Sequence, residues 1–159
     1  MLNKKNQKQG GLTMYRTDDF RGNAQDSITL TNEVGGDSLF EKIKDAVISN
    51  LEERGIDAKW YVSEVKSGGL FGTRLPILVI SNSQPENRYF DIGIFCNGNT
   101  VNFPLLGESA ENTKANKKQY YEENGSYIKA ALVKPDEMKL QMEIQWETEV
   151  LDCFNSLLA

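Results

Sequence analysis

The chain contains no histidine. That removes Ser-His-Asp and Cys-His nucleophilic sites, zinc sites built on His and Cys, and the commonest general base near neutral pH. Cysteine is scarce as well. Cys96 and Cys153 are far apart and form no C-x-x-C pair, so they are expected as small buried hydrophobes rather than a disulfide or an activated thiolate. No apolar run approaches the roughly 18 residues of a membrane-spanning helix. The basic start M-L-N-K-K-N-Q-K-Q-G-G is not followed by the apolar segment of a signal peptide. A cytoplasmic protein without a membrane partner is therefore expected.

Cofactor and metal fingerprints are missing too. Ser67-Gly68-Gly69-Leu70-Phe71-Gly72-Thr73 is rich in glycine, yet it lacks the G-K-[ST] ending of a phosphate loop and no helix pattern follows it. It reads as a hairpin loop presenting Leu70 and Phe71. The D-x-[DN]-x-[DN]-G spacing of a calcium loop is absent. No cofactor, metal or catalytic residue is assigned. Asp91 and Glu64, on expected strands, are the carboxylates that could converge for hydrolytic chemistry, but the sequence does not fix their separation.

A net charge of −5 and a pI near 4.9 disfavour nucleic acid, whose binding rests on Lys and Arg neutralising phosphates. Lys114, Lys117 and Lys118 beside Tyr120 and Tyr121 resemble a basic stripe with stacking aromatics, but Glu111, Glu122 and Glu123 offset it. What remains is ordinary globular material: 159 residues, 26% charged and 39% hydrophobic, enough for one core and far from a disordered composition.

The strongest local signal is Tyr89 to Leu106. Asn97-Gly98 suits a two-residue type I′ turn, which needs positive φ at both central positions. That turn would set Cys96 against Asn99, Ile94 against Val101, Ile92 against Phe103 and Phe90 against Leu105. These apolar residues then share one face, with Asp91, Gly93 and Phe95 on the other.

Residues 1–36 read as a polar, flexible arm with a basic bias, apart from Ser27 to Thr31, an alternating run that fits an edge strand. Residues 37–159 read as a single domain. Ser38 and Glu41 form a capping-box pattern; Leu39, Phe40, Ile43, Val47 and Leu51 recur at helical spacing; Gly55 closes the helix. Strands are expected over Ala58 to Lys66 and Leu75 to Ser81, the second an apolar run to be covered on both faces, with Pro76 at its start. Glu108 to Asn124 is a thinly amphipathic helix candidate. Tyr127 to Val133 fits a strand or a helical turn. Lys134-Pro135-Asp136-Glu137 opens a final helix to about Leu157, with Pro at N1.

That last helix carries the functional expectation. Leu140, Ile144, Leu151, Phe154 and Leu158 supply one buried stripe, leaving Met138, Met142, Trp146 and Val150 as surplus apolar surface. Six carboxylates lie between Asp136 and Asp152 against one lysine, Lys139. The fold class expected is α+β: an N-terminal helix, a four-stranded antiparallel β-meander, and C-terminal helices packed on one face. In element order, Ser38 to Leu158 is similar to secretion-chaperone-like domains and bacterial toxin-immunity proteins, a likeness of topology that brings no site residue with it.

The expected function is non-enzymatic binding of another protein, a second copy of the chain included, through Trp146, Met142, Val150, Leu70 and Phe71. Trp146 would be partly exposed in the monomer. The alternative is a small-ligand module with an apolar pocket between sheet and helices. A carboxylate hydrolase comes third.

Overall fold

The computed structural model describes residues 14–24, 27–31, 35–67, 73–83, 91–107 and 109–158. In chain order these form β1 (Met14–Arg16), a 3-10 turn (Thr17–Asp19), β2 (Phe20–Asn23), β3 (Ile28–Thr29), α1 (Asp37–Glu53), β4 (Ala58–Ser67) and β5 (Thr73–Asn82). There follow β6 (Asp91–Asn97), β7 (Thr100–Asn102), β8 (Pro104–Leu106), α2 (Ala110–Glu123), α3 (Tyr127–Leu132) and α4 (Glu137–Leu158). The α+β class holds, but among the described residues the sheet has eight strands and is mixed rather than a four-stranded antiparallel meander.

The strand order is β1-β4-β5-β6-β7-β3, with β8 joining β6 to β2. Among the described residues only β1 with β4 is parallel, Met14 opposite Glu64 and Arg16 opposite Lys66; the other pairings are antiparallel. Within the expected arm, Met14–Arg16, Phe20–Asn23 and Ile28–Thr29 are strands of the sheet. Ile28 pairs with Val101 at the edge, where the alternation of Ser27 to Thr31 placed a strand. Residues 1–13 lie outside the described residues.

A three-residue turn joins β1 to β2, yet these two strands stand at opposite ends of the path β1-β4-β5-β6-β8-β2. Five strand-to-strand steps in a flat sheet would span roughly 24 Å, while the chain from Arg16 to Phe20 reaches at most about 14 Å. The sheet therefore curls until its ends approach. Its concave face holds a small core of Val65, Ile77, Val79 and Leu106, against which Tyr15, Phe20, Tyr61 and Phe95 pack. Phe20 and Phe95 lie with ring centroids 6.0 Å apart.

The convex face carries the larger core. Trp60, Leu78, Ile80, Ile92, Ile94, Cys96, Val101 and Phe103 meet Leu39, Phe40, Ile43, Val47 and Leu51 of α1, and Trp146, Val150 and Phe154 of α4. Phe103 stacks on Phe154 at 5.4 Å between centroids. β5 is covered on both faces, as its unbroken apolar run requires. Pro76 sits further inside that strand than expected, opposite Glu64 and outside the Leu78–Ile80 stretch paired with β6, where its missing N–H is tolerated.

The hairpin keeps its faces and changes its register. Cys96 pairs with Val101, Asn97 with Thr100 and Ile92 with Leu105, a shift of two residues from the expected pairing. A two-residue shift preserves which side chains share a face. The turn is Gly98-Asn99. Gly98 has φ 61° and, among the described residues, no non-glycine residue has positive φ, the signature of a type II′ turn rather than I′. Contacts from outside the hairpin grip it: Gly36 N–H donates to Gly98 O at 2.9 Å and Leu30 N–H to Asn99 O at 2.9 Å. Gly35 lies so close that a Cβ there would stand 2.5 Å from the Gly98 carbonyl carbon.

α1 begins one residue earlier than expected, capped by Gly36 without a side-chain hydrogen bond. The Ser38–Glu41 capping box does not form, and Glu41 instead pairs with Lys44 at 2.7 Å. At the other end Ile56 N–H donates to Leu51 O and Gly55 N–H to Glu52 O. With Gly55 at φ 65°, this is a Schellman closure.

Candidate interaction surface

Two carboxylates tie the start of α2 to the start of α4. Ser109 caps α2 by accepting from Asn112 N–H at 3.1 Å, and its hydroxyl donates to Glu143 Oε2 at 2.8 Å. Glu143 is 1% exposed. Burial pushes its carboxyl above the usual range, an effect the Ser109 hydrogen bond opposes. Glu111 accepts the Asp136 backbone N–H on one oxygen and Lys114 Nζ at 3.3 Å on the other. The Asp136 amide holds its carboxyl below the usual range. Asp136 in turn caps α4, accepting from Lys139 N–H at 3.0 Å through its side chain and from Leu140 N–H through its carbonyl. The cap of the last helix is therefore Asp136, with Pro135 just outside rather than at N1.

Between these tied ends the chain must turn back, and α3 is the link. The segment that fitted either strand or helix is a helix of six residues with one buried side chain, Ala130. Its apolar residues face outward: Tyr127, Ile128 (82% exposed) and Leu132 (76%). Beyond it Met138 (77% exposed) and Met142 continue the exposure, with Ile144 at the margin. Among the described residues, seven of the eight large exposed hydrophobics fall between Tyr120 and Ile144, the eighth being Met14. Scattered exposed apolar residues are ordinary; a concentration of them is less common.

One face of α2 carries a run of lysines. Lys114, Lys117, Lys118 and Tyr121 lie at three- and four-residue spacing, one face of α2. The Tyr121 ring has Lys117 Nζ 5.8 Å from its centroid and Lys129 Nζ of α3 at 5.9 Å, contacts of cation–π type. Lys117, Lys118, Lys129 and Lys134 form no ion pair with a described carboxylate. Glu111, expected to offset this stripe, is buried and engaged.

The residues expected to form the surface separate. Met142 is on it. Trp146 (6% exposed) and Val150 are in the core, a correction with a clear cause: the buried stripe of α4 is Leu140, Glu143, Trp146, Val150, Cys153 and Phe154, rotated from the one chosen by apolar spacing. Ile144 turns outward. Trp146 is fixed by its indole N–H, which donates to Asp57 O at 2.9 Å. Leu70 and Phe71 lie outside the described residues.

The carboxylates considered for catalysis are not brought together. Asp91 stands beside Ser81, whose hydroxyl donates to it at 2.6 Å, and lies on the concave face with Val79 and Phe95. Glu64 is opposite Pro76, five residues along β5 (roughly 17 Å) and on the convex side. Both cysteines are free and buried; burial pushes the Cys96 thiol up to about 11 and Cys153 in the same direction. Among the described residues no group of three or more Cys, Asp or Glu is placed to hold a metal ion, and no helix is long and apolar enough to cross a membrane.

Comparison of the chain with models of protein families, with curated proteins and with solved structures finds no match.

Sequence reasoning missed α3 as the exposed element. Tyr127 to Val133 fits a strand or a helical turn in sequence, and a six-residue helix is too short for periodicity to tell a buried side from an exposed one. The signal available was the polar sequence on both sides, Glu122 to Ser126 and Lys134 to Glu137.

Proposed function

We propose that this chain is a protein-binding domain that acts by docking a macromolecule on the surface of α3 and the first half of α4. The role is adaptor-, chaperone- or immunity-like, not catalytic, and suits a cytoplasmic protein. The observation that carries the reading is the concentration of exposed Tyr127, Ile128, Leu132, Met138 and Met142. Leaving these side chains in water forgoes about 1.5–3 kcal/mol each relative to full burial, which a partner recovers. Methionine suits the role because its unbranched chain repacks against different surfaces.

The test is capture from native extract with the wild-type chain and with a variant carrying Ile128→Asp and Leu132→Asp. Both positions are exposed, so the fold is expected to survive, and circular dichroism checks it. A protein retained by the wild type and lost by the variant supports the reading. Identical retention on both contradicts it.

A second reading, a small-ligand module with its site between sheet and helices, draws on one observation. Trp60 Nε1, deep in the convex core, is the buried side-chain donor with no acceptor among the described residues. An orphan donor costs about 1–3 kcal/mol, and a ligand oxygen there would remove that cost.

A further inference from the structure

The stretch from Ser109 to Asp136 leaves the body of the protein and returns to the same place. α2, with 14 residues, runs about 21 Å outward. The way back is α3, six residues and about 9 Å long, then a link of up to about 14 Å from Val133 to Asp136. The two legs match, so entry and exit meet. They are fastened there: Glu111 accepts the Asp136 backbone N–H, and Ser109 donates to Glu143 Oε2 at 2.8 Å. α3 packs back on α2, where Lys129 lies over the Tyr121 ring.

The fastening is almost wholly polar. Among the described residues, neither hydrophobic core takes a side chain from 109–136. The buried side chains of the stretch are Ser109, Glu111, Asn112 and Ala130, three polar and one small apolar. Burial of apolar surface is what chiefly holds a fold together, whereas hydrogen bonds exchanged with water contribute little net. We propose that Ser109 to Asp136 is a helical flap that opens as one cooperative unit, hinged at those two residues, while the sheet, α1 and α4 stay folded. Freed from α4, a helix of 14 residues is marginal in water, so α2 melts as the flap opens. Partial openings of this kind lie between terminal fraying and global unfolding in free energy. Opening brings the Glu143 carboxylate, 1% exposed when the flap is closed, into water. It also carries α3 away from α4, so a partner gripping both helices would hold the flap shut. The flap itself needs no partner to open.

Native-state hydrogen exchange of the purified full chain, read by mass spectrometry in low concentrations of urea, tests this. Corrected for intrinsic rates, the amides of α2 and α3 are expected to exchange together, at least about 100-fold faster than those of β5 and α1. Their rates should change little with urea, because a small opening exposes little surface, while those of β5 and α1 climb steeply. Glu143→Ala lies outside the flap and removes the acceptor of Ser109. It is expected to speed exchange throughout the flap at least about tenfold, the equivalent of one hydrogen bond to a charged group, and to speed β5 and α1 by less. Glu143→Gln keeps an acceptor for that hydroxyl and should exchange like the wild type or more slowly. Flap amides that share the rates and urea dependence of β5 overturn the proposal, since the stretch would then open only with the whole fold. So does a Glu143→Ala chain whose flap is unaffected or speeds up no more than β5, or a Glu143→Gln chain that behaves like the alanine variant. Should Glu143→Ala fail to fold, the wild-type rates and Glu143→Gln decide.

Discussion

The Trp146 indole donates its N–H to the carbonyl oxygen of Asp57 at 2.9 Å, joining the middle of α4 to the residue just before β4. The bond orients the largest side chain of the helix into the convex core, and so sets which face of α4 is left outside. Trp146→Phe keeps most of the apolar contact and removes this hydrogen bond while the Asp57 carbonyl still accepts from Ser83 N–H at 3.4 Å, for an expected loss of about 1 kcal/mol. Trp146→Ala adds a cavity and is expected to cost about 3–5 kcal/mol. Urea denaturation measures both. A loss under about 0.5 kcal/mol for the alanine variant would be that of a surface position.

Ile92 and Ile128 make a matched pair for separating core from surface. Ile92 is buried on the convex face of β6, whereas Ile128 is exposed on α3. Ile92→Ala is expected to cost about 2–5 kcal/mol, and Ile128→Ala, measured at a concentration where the chain is monomeric, no more than about 0.5 kcal/mol. Similar losses at the two positions in chemical denaturation would contradict the assignment of faces.

At Gly35 the constraint is the neighbouring backbone. A Cβ there would meet Gly98 C at 2.5 Å and Gly98 O at 2.6 Å, and no side chain is available to move aside. Gly35→Ala is expected to lower the melting temperature by displacing the Gly36–Gly98 hydrogen bond and loosening the start of α1. Gly36 has open space around its Cβ position but φ 78° and ψ −147°, so Gly36→Ala acts through backbone strain, costing about 1–3 kcal/mol. A Gly35→Ala chain that melts with the wild type would show that hairpin and helix are not in contact.

Burial pushes the carboxyl of Glu147, on the flank of α4, up to about 7, while an unfolded glutamate titrates near about 4.3. Between those values the folded chain holds a proton that the unfolded chain has released. Stability from this group is full below the unfolded value, falls as pH rises through the window, and is gone above about pH 7. Burial shifts Glu143 in the same direction. Glu147→Gln removes the charge, so its melting temperature should match the wild type near about pH 4.5 and exceed it near about pH 8. A constant offset between the two melting curves across that range would contradict the assignment.

How far the sequence could be read depends on the range of the determining contacts. Period-two alternation in Ile92 to Phe95 and Val101 to Leu105 assigned both hairpin faces correctly, because each residue's face depends only on its strand. The turn moved by one residue, and the pairing by two, because Gly36 and Leu30, distant in sequence, hold the carbonyls of Gly98 and Asn99. The last helix shows the same division. Its extent was legible from composition, but apolar residues lie on both flanks of its buried stripe. Only the positions of Asp57 and Ser109 select Trp146 and Glu143 for the inside. A buried glutamate has no apolar signal, so Glu143 was invisible without its hydroxyl partner. The first strands were illegible for a related reason: β1 and β2 are short and polar and owe their structure to the edges they join.

The proposed binding surface is tested most directly by the reactivity of Met138 and Met142 toward peroxide, followed by mass spectrometry of the intact, folded chain. Both side chains are exposed in the isolated protomer, so in dilute purified protein they should oxidise at rates near that of free methionine. In native extract the account predicts that both slow together by about tenfold or more, as burial in an interface excludes the oxidant. Equal and rapid oxidation of Met138 and Met142 under both conditions would contradict it.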